Sequence, residues 1–482
     1  MSTIHTDTGS STQTKPILFV DLDGTLITTD SLWEAILQLA TVSPSSLWRL
    51  PVWLFRGRAR LKREVFSRVE LDVSTLPYNR DLISYIELNR ERYSMIVLAT
   101  ATHEIFASRV ADHVGIFSKV IATTDDENLK GETKLNAIEA YAGSCPIAYV
   151  GNSVADIAIW RKCDESIAVN LSFAARQRVN SIEFSAVLDS KQGSLVSIIK
   201  ALRPYQWAKN VLIFVPLILA HEIADTTKLA ATVTAFVAFS LIASMGYIIN
   251  DLLDIEADRR HVVKKARPFA SGTLQASTGL LLIGLLIVTG IVVAWNLPEQ
   301  FLYILGLYFL FTNLYSFRLK RVIMLDVATL AVLYTLRIIG GAEVADVELS
   351  FWLLTFSMFF FLSLALIKRY SELIHLESEV AEAAGRGYAG SDQFIIAQLG
   401  TSSALIAVLV LALYVTSDNV VLLYDHPKYI WLICPLVLYW VGRLWILGSR
   451  GEINEDPLLF AMRDRRTVVV ALLAAIVLVA AL

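Results

Sequence analysis

Residues 17–25 read ILFVDLDGT. Four apolar residues run straight into Asp21 and Asp23, which are spaced by one residue, and then into Gly24 and Thr25. A short apolar run ending in carboxylates reads as a buried strand that delivers both acids to its C-terminal edge. Open α/β sheets bind ligands at that edge. Gly24 permits the tight turn that follows. Two carboxylates there can hold Mg²⁺, and one of them can attack phosphorus.

Three later stretches extend the pattern. A second strand, MIVLAT, ends in Thr100. Lys134 follows the turn LKGET, placed to neutralise a phosphoryl oxygen or the nucleophile. A last strand, IAYVG, runs to Asn152, with Asp156 four residues on. Up to about Gly193, short apolar runs alternate with longer helical patterns, as in a parallel sheet with crossovers. In order and spacing these motifs resemble the haloacid dehalogenase superfamily of phosphohydrolases. The resemblance implies a Rossmann-like α/β domain over about residues 15–185, with a small helical cap at about 30–79. It implies Asp21 as nucleophile and Asp23 as acid/base, Thr100 and Lys134 on the phosphoryl group, and Mg²⁺ held by Asp21, Asp23, Asn152 and Asp156. The family usually has Asp where this chain has Asn152, which keeps an oxygen ligand and removes a charge. Residues 1–14 are polar and read as a disordered leader without the apolar core of a signal peptide. Residues 186–200 read as a linker. Within the cap, residues 48–65 (WRLPVWLFRGRARLKREV) mix Trp and Leu with five Arg and one Lys. That composition suits either an anionic lipid surface or an ordinary amphipathic cap helix.

The composition changes after the linker. Over all 482 residues, 55% are hydrophobic and 18% charged, and the mean hydropathy is +0.55. A soluble protein carries about 25% charge, so a wholly soluble, disordered or fibrous chain is excluded. The 42 Lys+Arg against 45 Asp+Glu give a net charge of −3, with no basic excess of the kind that nucleic acid requires. Cys145, Cys163 and Cys434 show no metal or disulfide spacing. From Val211 onward, long apolar runs predict an all-α membrane domain over 201–482 with about nine transmembrane helices, the first at about 209–224 and the last at about 467–482. The loops RRHVVKKARP, RLKR, KRY…GRGY and SRGEINEDP…RDRR are basic and alternate with nearly Arg-free ones. The positive-inside rule puts the basic set, and with it the N-terminal domain, in the cytoplasm of a cell inner membrane.

Those basic loops carry the chemistry. The run Asn250-Asp251-Leu252-Leu253-Asp254-Ile255-Glu256-Ala257-Asp258 places 251, 254 and 258 on one face of a continuing helix. Carboxylates so gathered call for a cation, and Mg²⁺ bridging to a substrate diphosphate is the one expected. His261, Lys264, Lys265 and Arg267 follow at once. Tyr315 to Arg321 (YSFRLKR) precedes Asp326, and Arg337 lies deep in the next span, facing the cavity or paired with an acid. Ionisable groups at membrane depth are functional by default.

These residues look like the UbiA superfamily of intramembrane prenyltransferases: NDxxDxxxD is similar to its first aspartate motif, YSxxLKR with Asp326 to its second, and DPLLFAMRDR (456–465) to its last cytoplasmic loop. LRPYQWAKN (202–210), KRYSEL (368–373) and GRGY (385–388) are similar to the decaprenyl-phosphate phosphoribosyltransferase branch. That resemblance implies catalysis at Asp251, Asp254 and Asp258. It implies Mg²⁺ on Asn250, Asp251, Asp254, Asp258 and Asp326. Phosphates would fall to Lys209, Asn210, Lys264, Arg267, Tyr315, Lys320 and Arg386. The implied partners are polyprenyl phosphate, phosphoribosyl diphosphate and the bilayer. Two other readings stay open: transfer of a prenyl group from a prenyl diphosphate lipid to an aromatic or other acceptor, and a membrane scaffold with a degenerate soluble domain. The sequence leaves the oligomeric state open.

Overall fold

β1 (Ile17–Val20) lies at the centre of a six-stranded parallel sheet in the computed structural model, and all four of its residues are buried. The structure describes residues 14–125, 127–189, 195–374, 387–416, 424–453 and 456–482. The sheet also contains β2 (Met95–His103), β3 (Lys119–Thr123), β4 (Ile147–Gly151), β5 (Glu165–Val169) and β6 (Ala186–Leu188), in the order β3-β2-β1-β4-β5-β6. β1 pairs with β2 through Ile17–Met95 to Val20–Leu98 and with β4 through Ile17–Ile147 to Val20–Val150. The strand order reverses about β1, so the crevice of this doubly wound sheet opens at the C-terminal ends of β1, β2 and β4. Asp21 and Asn152 directly follow β1 and β4, and Thr100 lies three residues before the end of β2.

The helices are α1 (Ser31–Val42), α2 (Leu50–Phe55), α3 (Arg58–Phe66), α4 (Arg80–Leu88), α5 (Glu104–Val114), α6 (Glu132–Ala142), α7 (Ile157–Trp160), α8 (Phe173–Arg176) and α9 (Leu195–Leu202). One sheet face packs Leu18, Val20 and Ile96 against Leu39, Trp53, Val65 and Phe106 of α1, α2, α3 and α5. The other packs Phe19 and Val97 against Leu135, Ile138 and Trp160 of α6 and α7. Phe19 and Val20 are wholly buried on opposite faces, as the period-two geometry of a strand requires. α1, α2 and α3 fill the segment expected to form a cap. Residues 186–188 pair with β5 as the sheet's last strand, and α9 takes 195–202, so most of the expected linker is structured. Its remainder, 190–194, and the expected leader up to residue 13 lie outside the described residues.

The chain divides into two compact bodies. The first is Met1–Ala201 with Asp251–Leu281, and the second is Leu202–Asn250 with Leu282–Leu482. The 251–281 loop therefore belongs with the α/β domain rather than with the helical half. It contains the short helix α12 (Ile255–Arg260).

The helical half runs through α10 (Val215–Leu219), α11 (Thr226–Leu253), α13 (Ala276–Ala294), α14 (Glu299–Phe317), α15 (Leu325–Ala345), α16 (Phe351–Ile374) and α17 (Gln393–Val415). Helices Ile433–Ser449, Pro457–Arg463 and Arg465–Ala481 complete it. Among the described residues, seven helices are long and apolar enough to cross a membrane. The two expected spans that do not qualify are the first and the last. Residues Pro204–Phe214 form a 3₁₀ segment before the five-residue α10, whose second residue is Pro216. Proline suits such first turns and lacks the N–H that a longer helix would use. The final helix has 17 residues and starts on Arg465 and Arg466. α11 has 28 residues, about 42 Å at 1.5 Å per residue. That exceeds a hydrocarbon core of about 30 Å, so α11 is long enough to cross with several residues to spare.

Candidate functional site

The phosphatase-like site grows out of β1. Asp21 accepts a hydrogen bond from Lys134 Nζ at 3.0 Å. Lys134 comes from the first turn of α6 and also reaches Tyr149 Oη at 2.8 Å and Asp156 Oδ1 at 3.3 Å. Burial pushes the Asp21 carboxyl up to about 7, against the pull of Lys134. Burial opposes the Lys134 charge, but Asp21 and Asp156 outweigh it and hold the amine above its ordinary value. Asp23 accepts from Ser31 N at 2.8 Å and from Thr102 Oγ1. Burial, with Asp30 behind it, raises Asp23 to about 6. Ser31 opens α1, and Asp30 caps that helix by accepting from Trp33 N at 3.1 Å. The helix start and the second carboxylate are therefore fixed together.

Gly24 has φ +76, and a Cβ there would lie 2.0 Å from Asn152 Nδ2. Glycine is required twice over, for the backbone and for the approach of Asn152 to the turn. Thr100 is fully buried, and its hydroxyl accepts from Thr102 N at 3.0 Å. Thr102 is the hydroxyl that touches Asp23. Asp156 is occupied from within. One oxygen takes Lys134 and Tyr149 Oη (2.6 Å), and the other takes Ser153 N (2.9 Å), Ser153 Oγ (2.8 Å) and Asn152 N (3.2 Å). Burial alone would raise it, but Lys134 and these donors carry it below the ordinary carboxylate range. A carboxylate with its lone pairs so filled orients Lys134 and the Asn152 loop. Mg²⁺ suits what remains: Asp21 and Asp23 are buried carboxylates whose raised protonation a hard cation would relieve, with Asn152 beside their turn.

The acidic motif of the 251–281 loop is built differently from a single continuous helix. α11 ends at Leu253, Asp254 is the junction, and α12 starts at Ile255. Across that junction Asp251 Oδ1 and Asp258 Oδ2 converge on one nitrogen of Arg267, at 3.1 and 2.6 Å. Burial raises Asp258 against the pull of Arg267. Lys264 is half-buried in the intervening turn. A guanidinium bridging two buried carboxylates marks where positive charge is needed, and Mg²⁺ fits this pair. Among the described residues no three His, Cys, Asp or Glu side chains cluster. A cation at either site would thus take two carboxylates, with substrate oxygens and water completing its shell.

The same loop is tied to α1. Arg259 donates through both terminal nitrogens to Glu34, at 2.9 and 2.5 Å, and through Nε to Ala270 O at 3.0 Å. Both side chains of this pair are buried. Arg260 meets Asp72 at 2.9 Å and Gln38 meets Glu256 at 3.2 Å. Gly272 (φ +74) leaves no room for a Cβ, which would fall 2.0 Å from Thr28 Oγ1.

In the helical body, Asn250 Oδ1 accepts from Lys320 Nζ at 3.1 Å. Tyr315 stands half-buried near the end of α14. Asp326 is fully buried, paired with Arg369 at 2.6 Å and hydrogen-bonded by Tyr388 at 2.6 Å. Its Oδ1 takes the Tyr388 hydroxyl, while its Oδ2 faces the Arg369 charge without a hydrogen bond. Lys209 donates to Asp456 Oδ2 at 2.7 Å, Tyr334 Oη donates to the same carboxylate at 3.2 Å, and Lys368 lies 3.6 Å away. Burial would raise Asp456, but Lys209 and Lys368 hold it well below the usual range. Asn210 accepts from Arg337 Nε at 2.7 Å, and Arg337 also donates to Tyr308 Oη at 3.0 Å and to Leu333 O. These partners of Arg337 are neutral. Arg386 lies outside the described residues.

Sequence reasoning missed Thr102, Tyr149, Glu34, Arg259, Lys368, Arg369, Tyr388 and Asp456 as participants. Their signal was weak but present. Tyr149 interrupts an apolar strand, and Lys368, Arg369, Tyr388 and Asp456 sit inside motifs already quoted.

Comparison with known proteins agrees with both halves. The model of the UbiA prenyltransferase family matches residues 211–465, and that of haloacid dehalogenase-like hydrolases matches 18–161. An uncharacterized protein of Sinorhizobium fredii is 36% identical over 93% of this chain and 87% of its own. The nodulation protein NoeC of Azorhizobium caulinodans is 36% identical over 56% of this chain and 88% of its own. The decaprenyl-phosphate phosphoribosyltransferase of Mycolicibacterium smegmatis is 31% identical over 56% and 88%. With the seven apolar helices, these matches make the protein a multi-pass membrane enzyme: the chain belongs to the UbiA prenyltransferase family and carries a haloacid dehalogenase-like hydrolase domain ahead of its transferase domain.

Proposed function

We propose that the membrane half joins a polyprenyl phosphate to phosphoribosyl diphosphate and that the hydrolase domain then removes the 5′-phosphate of the product. The observation that carries this reading is the 31% identity to the mycolicibacterial phosphoribosyltransferase over 88% of that protein's length. In the first step an anionic oxygen of the lipid phosphate attacks C1 of the ribose, and the C1–O bond to diphosphate breaks with its electron pair. The anomeric centre inverts, and no general base is needed. Mg²⁺ held by Asp251 and Asp258 of the acidic motif, and in the hydrolase by Asp21, Asp23 and Asn152, would supply charge that stabilises phosphate oxygens. Arg267 and Lys264 supply fixed cations beside the first acids, while Lys320, Lys209, Asn210, Tyr315 and Arg386 serve as phosphate donors in the second body.

In the second step the Asp21 carboxylate attacks the 5′-phosphorus and Asp23 protonates the departing O5′. Burial brings Asp23 up to about 6, close enough to neutrality for it to deliver a proton and take one back. Water then cleaves the aspartyl-phosphate, with Asp23 taking its proton. Lys134, held by Asp156 and Tyr149, offsets the nucleophile's charge. Both sites face the cytoplasm of an inner membrane in this reading, as the basic loops require.

The test is direct. Purified protein with Mg²⁺, polyprenyl phosphate and phosphoribosyl diphosphate should yield a ribosylated lipid lacking its 5′-phosphate, by mass spectrometry. A ribosylated lipid that keeps the phosphate would remove the hydrolase step. Absence of any ribosylated lipid, with consumption of a prenyl diphosphate instead, would overturn the transferase reading.

A further inference from the structure

The basic and aromatic stretch of the cap takes no part in the sites above, and the structure shows how it is displayed. Residues Pro44–Arg49 form a 3₁₀ turn that runs into α2. One side of this segment is anchored: Trp53 is 6% exposed within the core, and Leu50 packs against the same cluster. Arg68 stacks over the Trp53 ring at 4.8 Å. The other side carries Trp48 at 86% and Phe55 at 92% exposure, with Val52 and Leu54 half exposed. Positions 48, 52 and 55 follow the i, i+4, i+7 spacing of one helical stripe. Arg49, Arg56 and Arg58 are exposed beside them, and none has an ion pair among the described residues. No Asp or Glu occurs between Val42 and Arg63.

We propose that this edge of the cap, Trp48 to Arg58, docks on an anionic lipid surface. An aromatic pair at near-full exposure costs free energy in water. Trp and Phe inserted at the headgroup level, with unpaired arginines against lipid phosphates, resolve that cost in the manner of interfacial amphipathic helices. The bilayer is the occupant because the chain is itself a multi-pass membrane protein, so the partner is always present. A soluble protein partner would not call for three uncompensated arginines on one short edge.

The test uses the full chain in nanodiscs. Phe55→Cys is labelled with a small fluorophore, with the parent chain labelled identically as background. Leu88→Cys, which replaces another exposed side chain (87%) flanked by Glu87 and Glu91, is the control. In discs containing phosphatidylglycerol, nitroxide lipids should quench the label at 55 at least about two-fold more than the label at 88, and Arg49→Glu with Arg56→Glu should abolish the difference. Water-soluble iodide should quench position 88 preferentially. Equal iodide quenching at 55 and 88 would overturn the proposal, as would protection of position 55 from both quenchers, which would mean protein contact. Equal lipid quenching at 55 and 88 would also overturn it. None of these readouts depends on the reaction catalysed.

Discussion

Asp21 and Asp23 are two residues apart, and the fold gives them different surroundings. Lys134 faces the first, while a backbone amide and the Thr102 hydroxyl face the second. This division is what separates a nucleophile from an acid. Asp21→Asn should therefore lower 5′-phosphate removal by about 10³-fold or more and leave the phosphorylated lipid to accumulate, read by mass spectrometry. Lys62 of the cap supplies a second test. It donates to Ala101 O and to Asn128 Oδ1 at 2.7 Å, and burial lowers its amine to about 8. The folded value lies below the unfolded 10.5, so between those pH values the unfolded chain binds the extra proton and stability rises with pH. Lys62→Met removes that term. Its melting temperature relative to wild type should fall as pH goes from 7.5 to 10.5, and a pH-independent difference would contradict the assignment. The Asp21–Asp23 pair was legible because two acids at the end of a buried strand are costly to hold there without a ligand. Thr102 was not, because its role depends on β2 continuing as far as His103, past the apolar run that defines it in sequence.

Among the elements, α1 ties together the most for its length. Its first turn fixes Asp23 through Ser31 N, and its Glu34 binds Arg259 of α12, next to Asp258. Glu34→Gln leaves a buried guanidinium without its countercharge and should cost about 3–5 kcal/mol by thermal or denaturant unfolding. Pairing Glu34→Met with Arg259→Leu should recover most of that loss. If the double variant is as unstable as the single, the pair is not the source. Periodicity could not anticipate this contact, which joins two segments far apart in the chain. It could find α11 and α13 to α17, whose long apolar runs have few rivals. It overran at Pro204–Phe214, where hydrophobicity is high but the residues form 3₁₀ turns and bury Lys209 and Asn210.

For the whole molecule, two chemistries on separate acid sets should be separable. Asp258→Asn should reduce formation of ribosylated lipid by about 10²-fold or more while hydrolysis of a small phosphomonoester persists. Chelation of divalent cations should stop both reactions, and readdition of Mg²⁺ should restore them. The sequence indicated two domains correctly in kind, yet the loop after α11 was assigned to the membrane half because it is contiguous with it. The transferase family's match does span that loop, while in space Arg259, Arg260 and Gly272 pack it against the α/β domain. One consequence concerns how such a chain can be cut. The backbone passes from one body to the other after Ala201, after Asn250 and after Leu281. A protease or a gene truncation acting near residue 195 therefore does not release a cassette. It strips residues 251–281, still attached to the remainder, of their packing partners and leaves Arg259 without the Glu34 carboxylate. Residues 251–281 lie inside the stretch that matches the transferase family, 211–465, so a helical half moved by itself would carry that loop without Glu34 and Asp72 to receive Arg259 and Arg260.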